Sequence, residues 1–118
     1  MSNNVSWNLR VSINDGMLEE FRALADEMIA ATATEDGALC YEWYVSEDGS
    51  TCHIIERYAD SAAMMVHLGN FGANYADRFM PMVQVTSFDI YGPANDEVRN
   101  ALAGFGTVHY DSIGGFNR

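Results

Sequence analysis

Lysine is missing from the sequence altogether, and the six basic residues, all arginine, stand against seventeen acidic ones for a net charge of −11. Schiff-base chemistry on a chain lysine is thereby excluded. The acids are spread along the chain rather than gathered in a tail, and such a surface repels phosphate backbones and anionic lipid, so no nucleic acid and no membrane partner is expected. Long apolar runs are absent as well, which rules out a span of eighteen or more apolar residues. The opening Met1-Ser2-Asn3-Asn4 lacks the basic and apolar regions of a signal peptide, and the expected location is the cytoplasm.

Cysteine is scarce, with Cys40 and Cys52 flanking the turn sequence Ser46-Glu47-Asp48-Gly49-Ser50. If Val45 faces Thr51, Cys40 lies opposite Glu56 and Cys52 opposite Tyr44, roughly four strand residues or about 13 Å apart. That is too far for a disulfide, so two free thiols in a reducing compartment are expected. Histidine is also sparse. His53, His67 and His109 are isolated, with no H-x-H, H-E-x-x-H or C-x-x-C spacing, and no metal site is predicted. There is no G-x-S-x-G nucleophile elbow, and Gly69-Asn70-Phe71-Gly72 matches neither nucleotide-binding fingerprint.

What is present is 118 residues, 48% of them hydrophobic, enough for one domain whose core would benefit from a partner. Val5, Trp7, Leu9, Val11 and Ile13 alternate with polar residues and predict a strand with one buried face. From Met17 the period changes: Met17, Phe21, Leu24, Met28 and Ile29 share a helical stripe, and the helix is expected to end near Gly37 in a glycine turn. Ala38–Val45 and Thr51–Ala59 read as an antiparallel hairpin around Asp48-Gly49. Asp60 or Ser61 caps a second helix to about Gly69. After a break at Gly69–Gly72, Phe71, Tyr75 and Phe79 continue it to Met80-Pro81, and Met82–Gly92 supplies the fourth strand.

The order is β-α-β-β-α-β, an α+β, ferredoxin-like domain over residues 1–92 with an antiparallel sheet. Residues 93–118 form an extension: a short helix from about Asn95 to Ala103, and an edge strand from Phe105 to Tyr110, packing on the same domain or on a partner. Two helices cover one face of the sheet. Leu39, Tyr41, Trp43 and Val45 on one side and Cys40, Glu42 and Tyr44 on the other, with Phe88 and Ile90 opposed to Val83, Val85 and Tyr91, suggest two apolar faces and hence a homodimer.

Between sheet and helices the pattern admits an apolar space bordered by Met64, Met65, Phe71 and Phe79. His67, Asn70, Tyr75, Tyr41 and Trp43 are the polar groups within reach. Such a lining suits a small, flat aromatic ligand, and a filled small core explains the same residues. His67 differs from the rest, because an imidazole in an apolar run needs a partner and titrates near working pH. Glu56 and Arg57 point to opposite faces by alternation, so one reaches an interior or an interface; a structural salt link is the expected role.

The segments Ile13–Thr32, Glu35–Gly49 and Ile54–Leu68, with the pattern E-R-Y-x-D-x-x-A-x-x-x-H-L from Glu56 to Leu68, resemble the antibiotic biosynthesis monooxygenase family, which includes quinol monooxygenases. The resemblance covers most of residues 5–92. It implies a dimeric α+β barrel and a monooxygenase that uses dioxygen on a hydroquinone-like or polyketide aromatic with no cofactor. It also implies His67 as proton acceptor or partner of the substrate anion, with Tyr75 beside it as a catalytic group, and Tyr75, Asn70 and Trp43 orienting the rings. Haem-degrading relatives use an asparagine, tryptophan and histidine set. Here His67 falls at the tryptophan position and Tyr75 about where the haem-ligating histidine would be, which argues against haem degradation. The polar set of the polyketide oxygenases is not clearly matched either, and a non-catalytic small-molecule-binding homodimer is the competing expectation.

Overall fold

The computed structural model describes residues 2–118. Along the chain come β1 (Val5–Ile13), α1 (Leu18–Thr32), β2 (Ala38–Val45), β3 (Thr51–Tyr58), α2 (Ser61–Asn74), α3 (Ala76–Phe79), β4 (Val83–Tyr91), α4 (Asp96–Leu102) and β5 (Val108–Tyr110). The strands form one sheet in the order β2-β3-β1-β4-β5, antiparallel except for the β4-β5 pair. This is the ferredoxin-like α+β arrangement that the change of hydrophobic period predicts.

β1 runs through the centre of the four antiparallel strands, and its alternation decides the layering: Val5, Trp7, Val11 and Ile13 are buried under the helices. α1 docks through Phe21, Leu24, Ala25, Met28 and Thr32, at intervals of three and four. Ile29, expected on that stripe, is 38% exposed, because it falls one position past the contact line. Asp60 caps α2 by accepting from the Ala63 amide at 2.9 Å, and Ser61, Met64 and His67 form its buried stripe. α4 is capped by Asn95 and tied to α2 by the Asn95 amide donating to Ser61 Oγ at 3.0 Å. Its Val98 and Leu102 pack with Trp7, Met64 and Phe88.

Five local expectations are corrected. α2 does not break at Gly69–Gly72 but continues to Asn74, the break falling at Tyr75, where φ is −129°. Burial of the helix outweighs the glycine propensity cost of about 1 kcal/mol each. Gly37 does not end α1 in a left-handed turn; α1 stops at Thr32, and Gly37 lets the start of β2 approach α2 where any Cβ would overlap the Ala63 methyl. The hairpin pairs Val45 with Cys52, one residue from the assumed register, so Cys40 faces Arg57; the two thiols are free. An irregularity between Ala38 and Cys40 turns Leu39 outward, 54% exposed, although Tyr41, Trp43 and Val45 do pack inward.

The fifth correction concerns the second sheet face. β1 pairs Arg10 with Ser87 but Val11 with Val85, so a bulge at Thr86 changes the phase of β4. Val83 and Val85 therefore share the helix-covered face with Phe88 and Ile90. The uncovered face carries Ser6, Asn8, Arg10 and Ser12 of β1, His53, Ile55 and Arg57 of β3, Cys40, Glu42 and Tyr44 of β2, and Asp89 and Tyr91 of β4. It is mixed, with Tyr44, Ile55 and Tyr91 among polar neighbours, so β4 adds less apolar surface to a second-sheet interface than its alternation predicts.

Candidate active site

A cavity of about 450 Å³ lies between sheet and helices. Trp7, Leu9, Tyr41, Ile54, Glu56, Val85 and Phe88 form its sheet side; Met65, His67, Leu68 and Phe71 of α2 and Phe79 of α3 lie opposite. Gly69 and Gly72 also line it, and a Cβ on either would meet nothing within 4 Å, so these glycines leave room that larger residues would take. Ala101, Leu102 and Phe105 close one side from the C-terminal extension, Phe105 meeting Phe88 edge-on at 6.3 Å.

Of the residues picked from the sequence, His67, Tyr41, Phe71 and Phe79 lie on this wall. Met64 is fully buried one helix position away, in the core cluster with Trp7 and Tyr58, and Met65 takes its place. Trp43 stands behind the wall, its ring 5.9 Å from Tyr41 and 6.0 Å from Phe79. Asn70 is exposed and reaches Glu35 rather than the cavity, and Tyr75 sits at the end of α2 with the Arg78 guanidinium 5.6 Å from its ring centre.

His67 is held between two carboxyl groups. Its Nδ1 is 3.1 Å from Glu35 Oε1, and its Nε2 is 3.3 Å from Glu56 Oε1. Neither glutamate was among the candidate site residues. The hydroxyl of Tyr58 donates to Glu56 Oε1 at 2.5 Å, and Asn70 Nδ2 donates to Glu35 Oε2 at 3.3 Å. The rings of Tyr58, Tyr41 and Trp7 stand 5.1, 5.4 and 6.0 Å from the imidazole, closing it off from water.

Burial drives the electrostatics. It pushes the Glu56 carboxyl up to about 8, against the Tyr58 hydroxyl, which favours the charged form. Burial also lowers His67, against the Glu35 carboxylate, which pulls it back up. Glu56 thus holds its proton near pH 7, and burial favours the neutral imidazole. The imidazole Nδ1–H donates to the Glu35 carboxylate and Tyr58 donates to Glu56, whereas the 3.3 Å approach of Glu56 Oε1 to Nε2 is not aligned as a hydrogen bond. The indole N–H of Trp7 lies near Glu56 as a favourable dipole but has no aligned acceptor. The two carboxyl groups sit on opposite edges of the ring and do not converge on one point. Among the described residues there is no group of three or more His, Cys, Asp or Glu placed to hold a metal ion.

An imidazole backed by a carboxylate thus faces an apolar cavity on a ferredoxin-like scaffold, and the chain belongs to the antibiotic biosynthesis monooxygenase family, which it matches over residues 5–73. The provisionally assigned monooxygenase Rv0793 of Mycobacterium tuberculosis is 43% identical over 49 residues, a match that spans 42% of this chain and about half, 48%, of that relative. The structure of Rv0793 superposes over 79% of this chain and 97% of that one, with a TM-score of 0.65 and 30% identity. MupZ from Pseudomonas fluorescens superposes over 100% of this chain and 91% of its own, with a TM-score of 0.89 and 24% identity; it is similar through the C-terminal extension too. SnoaB, a cofactor-independent oxygenase from Streptomyces nogalater, shares the fold at 16% identity, covering 80% of this chain and 96% of its own with a TM-score of 0.68. No helix among the described residues is long and apolar enough to cross a membrane.

Proposed function

We propose that this chain is a monooxygenase that oxidises an electron-rich aromatic, a hydroquinone or an anthrone-like polyketide intermediate, with dioxygen and without a resident cofactor. The observation that supports it is the buried His67 imidazole on the wall of a largely apolar cavity, with Glu35 behind it. An activated C–H or phenol loses its proton to His67 Nε2, and Glu35 stabilises the imidazolium. The carbanion or phenolate passes an electron to dioxygen, the radical pair joins as a peroxide, and loss of water leaves a carbonyl. For an activated methylene the balance is CH2 plus O2 giving C=O plus H2O. The aromatic walls hold the substrate's rings and exclude water.

Oxygen uptake by the purified, metal-free protein on a panel of hydroquinones and anthrones tests this. Uptake is expected on at least one, falling about 100-fold or more in His67→Ala. Ligands that raise the melting temperature of both proteins while neither consumes oxygen would sink the reading in favour of a non-catalytic binding protein.

A second copy on the uncovered sheet face completes the proposal. Tyr44 and Tyr91 are exposed there, and a partner sheet would cover them. Light scattering is expected to give twice the chain mass of 13.1 kDa. A stable monomer at micromolar concentration refutes it.

A further inference from the structure

The mechanism above uses His67 and Glu35 and leaves Glu56 idle, although Glu56 also lines the cavity and touches the same imidazole nitrogen that must take the substrate's proton. We propose that Glu56 is a second catalytic group, a general acid working beside His67, and that the pair interconverts the keto and enol forms of an arylmethyl ketone, whose CH2 lies between ring and carbonyl, without any oxygen. This activity shares its cavity and aromatic ligand class with the proposed oxidation, and rests on that reading for nothing else.

The geometry supports a bifunctional step. Glu56 Oε1 lies 3.3 Å from Nε2 without hydrogen-bond alignment, which leaves the Glu56 hydroxyl open to a ligand carbonyl and the Nε2 lone pair open to an adjacent C–H. With the carbonyl oxygen accepting from Glu56, the adjacent C–H becomes acidic, and Nε2 lies within a few ångströms to take its proton. The C–H bond breaks towards Nε2 while an O–H bond forms with the proton from Glu56. The products are an enol, an imidazolium paired with Glu35, and a Glu56 carboxylate. Once the ligand moves off, the proton on Nε2 passes across the same contact to Glu56 and restores the starting pair. No electron, oxidant or outside proton is consumed.

Every group facing Glu56 fits this cycle. Tyr58 of β3 donates to it throughout, Trp7 of β1 offers a dipole, His67 of α2 is its proton partner, and Tyr41 of β2 is kept protonated by burial. The Glu35 carboxylate beyond the imidazole adds a negative charge that disfavours ionising Glu56 until a proton has reached His67. Burial holds the Glu56 proton up to about pH 8, so it is available over the neutral range.

The test is proton NMR of 2-tetralone in deuterated buffer, under strict exclusion of oxygen, with the full chain and its Glu56→Gln variant. Exchange of the methylene protons well above the buffer rate is expected from the wild type. It should be about 100-fold slower in the variant, with 2-tetralone still quenching tryptophan fluorescence in both. The wild-type rate should fall as pH passes about 8, and this limb should be missing from the variant's residual rate. No exchange above buffer, or equal exchange by the variant, overturns the proposal even if oxygen uptake on quinols is found. Exchange without any oxygen uptake upholds it and removes the oxidation instead.

Discussion

Replacing Glu56 with glutamine is expected to raise the melting temperature at pH 8 by about 10 °C, while the two proteins melt almost together at pH 5. The reason is proton linkage. Glu56 is 3% exposed and holds its proton to about pH 8, against an ordinary value of 4.5 in the unfolded chain. Between these values the folded protein binds one more proton than the unfolded one, so stability falls as pH rises, by up to about 1.4 kcal/mol per pH unit. The contribution is complete below about pH 4.5 and lost by about pH 8, a difference of about 3 kcal/mol after allowance for relaxation and water entry. Glutamine has no such slope, and its amide can still meet Tyr58 and His67 in one orientation or the other. His67 titrates the opposite way at lower pH, in both proteins. Calorimetric scans from pH 5 to 9 check this, and melting curves that stay parallel throughout would show that Glu56 is ionised in the folded protein.

The same residue shows where the sequence could be read and where it could not. β1 and the α1 stripe were legible because their periods run over nine and fifteen residues with one face consistently apolar. His67 was legible as a cavity-facing residue because it interrupts an apolar run at the spacing of Met64 and Phe71. Glu56 was half legible: alternation along β3 sends Glu56 and Arg57 to opposite faces, but only the layering shows that the glutamate is the buried one and that Arg57 meets Ser6 on the open face at 3.1 Å. Glu35 left no trace, since it follows the end of α1 and meets His67 from 32 positions away. Strand faces failed at the irregularities beside Leu39 and at Thr86, because a one-residue slip exchanges every facing residue and nothing in the local composition marks it. Gly69 and Gly72 read as helix breakers since propensity counts their cost, and the cavity they make room for is a tertiary property.

Glu35→Gln is expected to lower kcat/KM on an oxidisable or enolisable aromatic by about 100-fold, and to move the acid limb of its pH profile to lower pH. Glutamine preserves the shape, an acceptor for His67 Nδ1–H and a partner for Asn70, so the imidazole keeps its tautomer and place. What disappears is the charge. In the wild type Glu35 raises the proton affinity of His67 both by charge and by hydrogen bond, against burial, which lowers it. Without the carboxylate the buried imidazolium has no counterion, so His67 loses its proton at lower pH and becomes a weaker base at every pH above that. The two effects carry opposite signs near the limb, which separates them from a loss of folded protein: the fraction of maximal rate retained at acidic pH rises while the plateau falls. A variant that is merely misassembled lowers the plateau and leaves the limb in place. Full plateau activity with an unmoved limb would remove Glu35 from the mechanism and leave His67 to work with Glu56 alone.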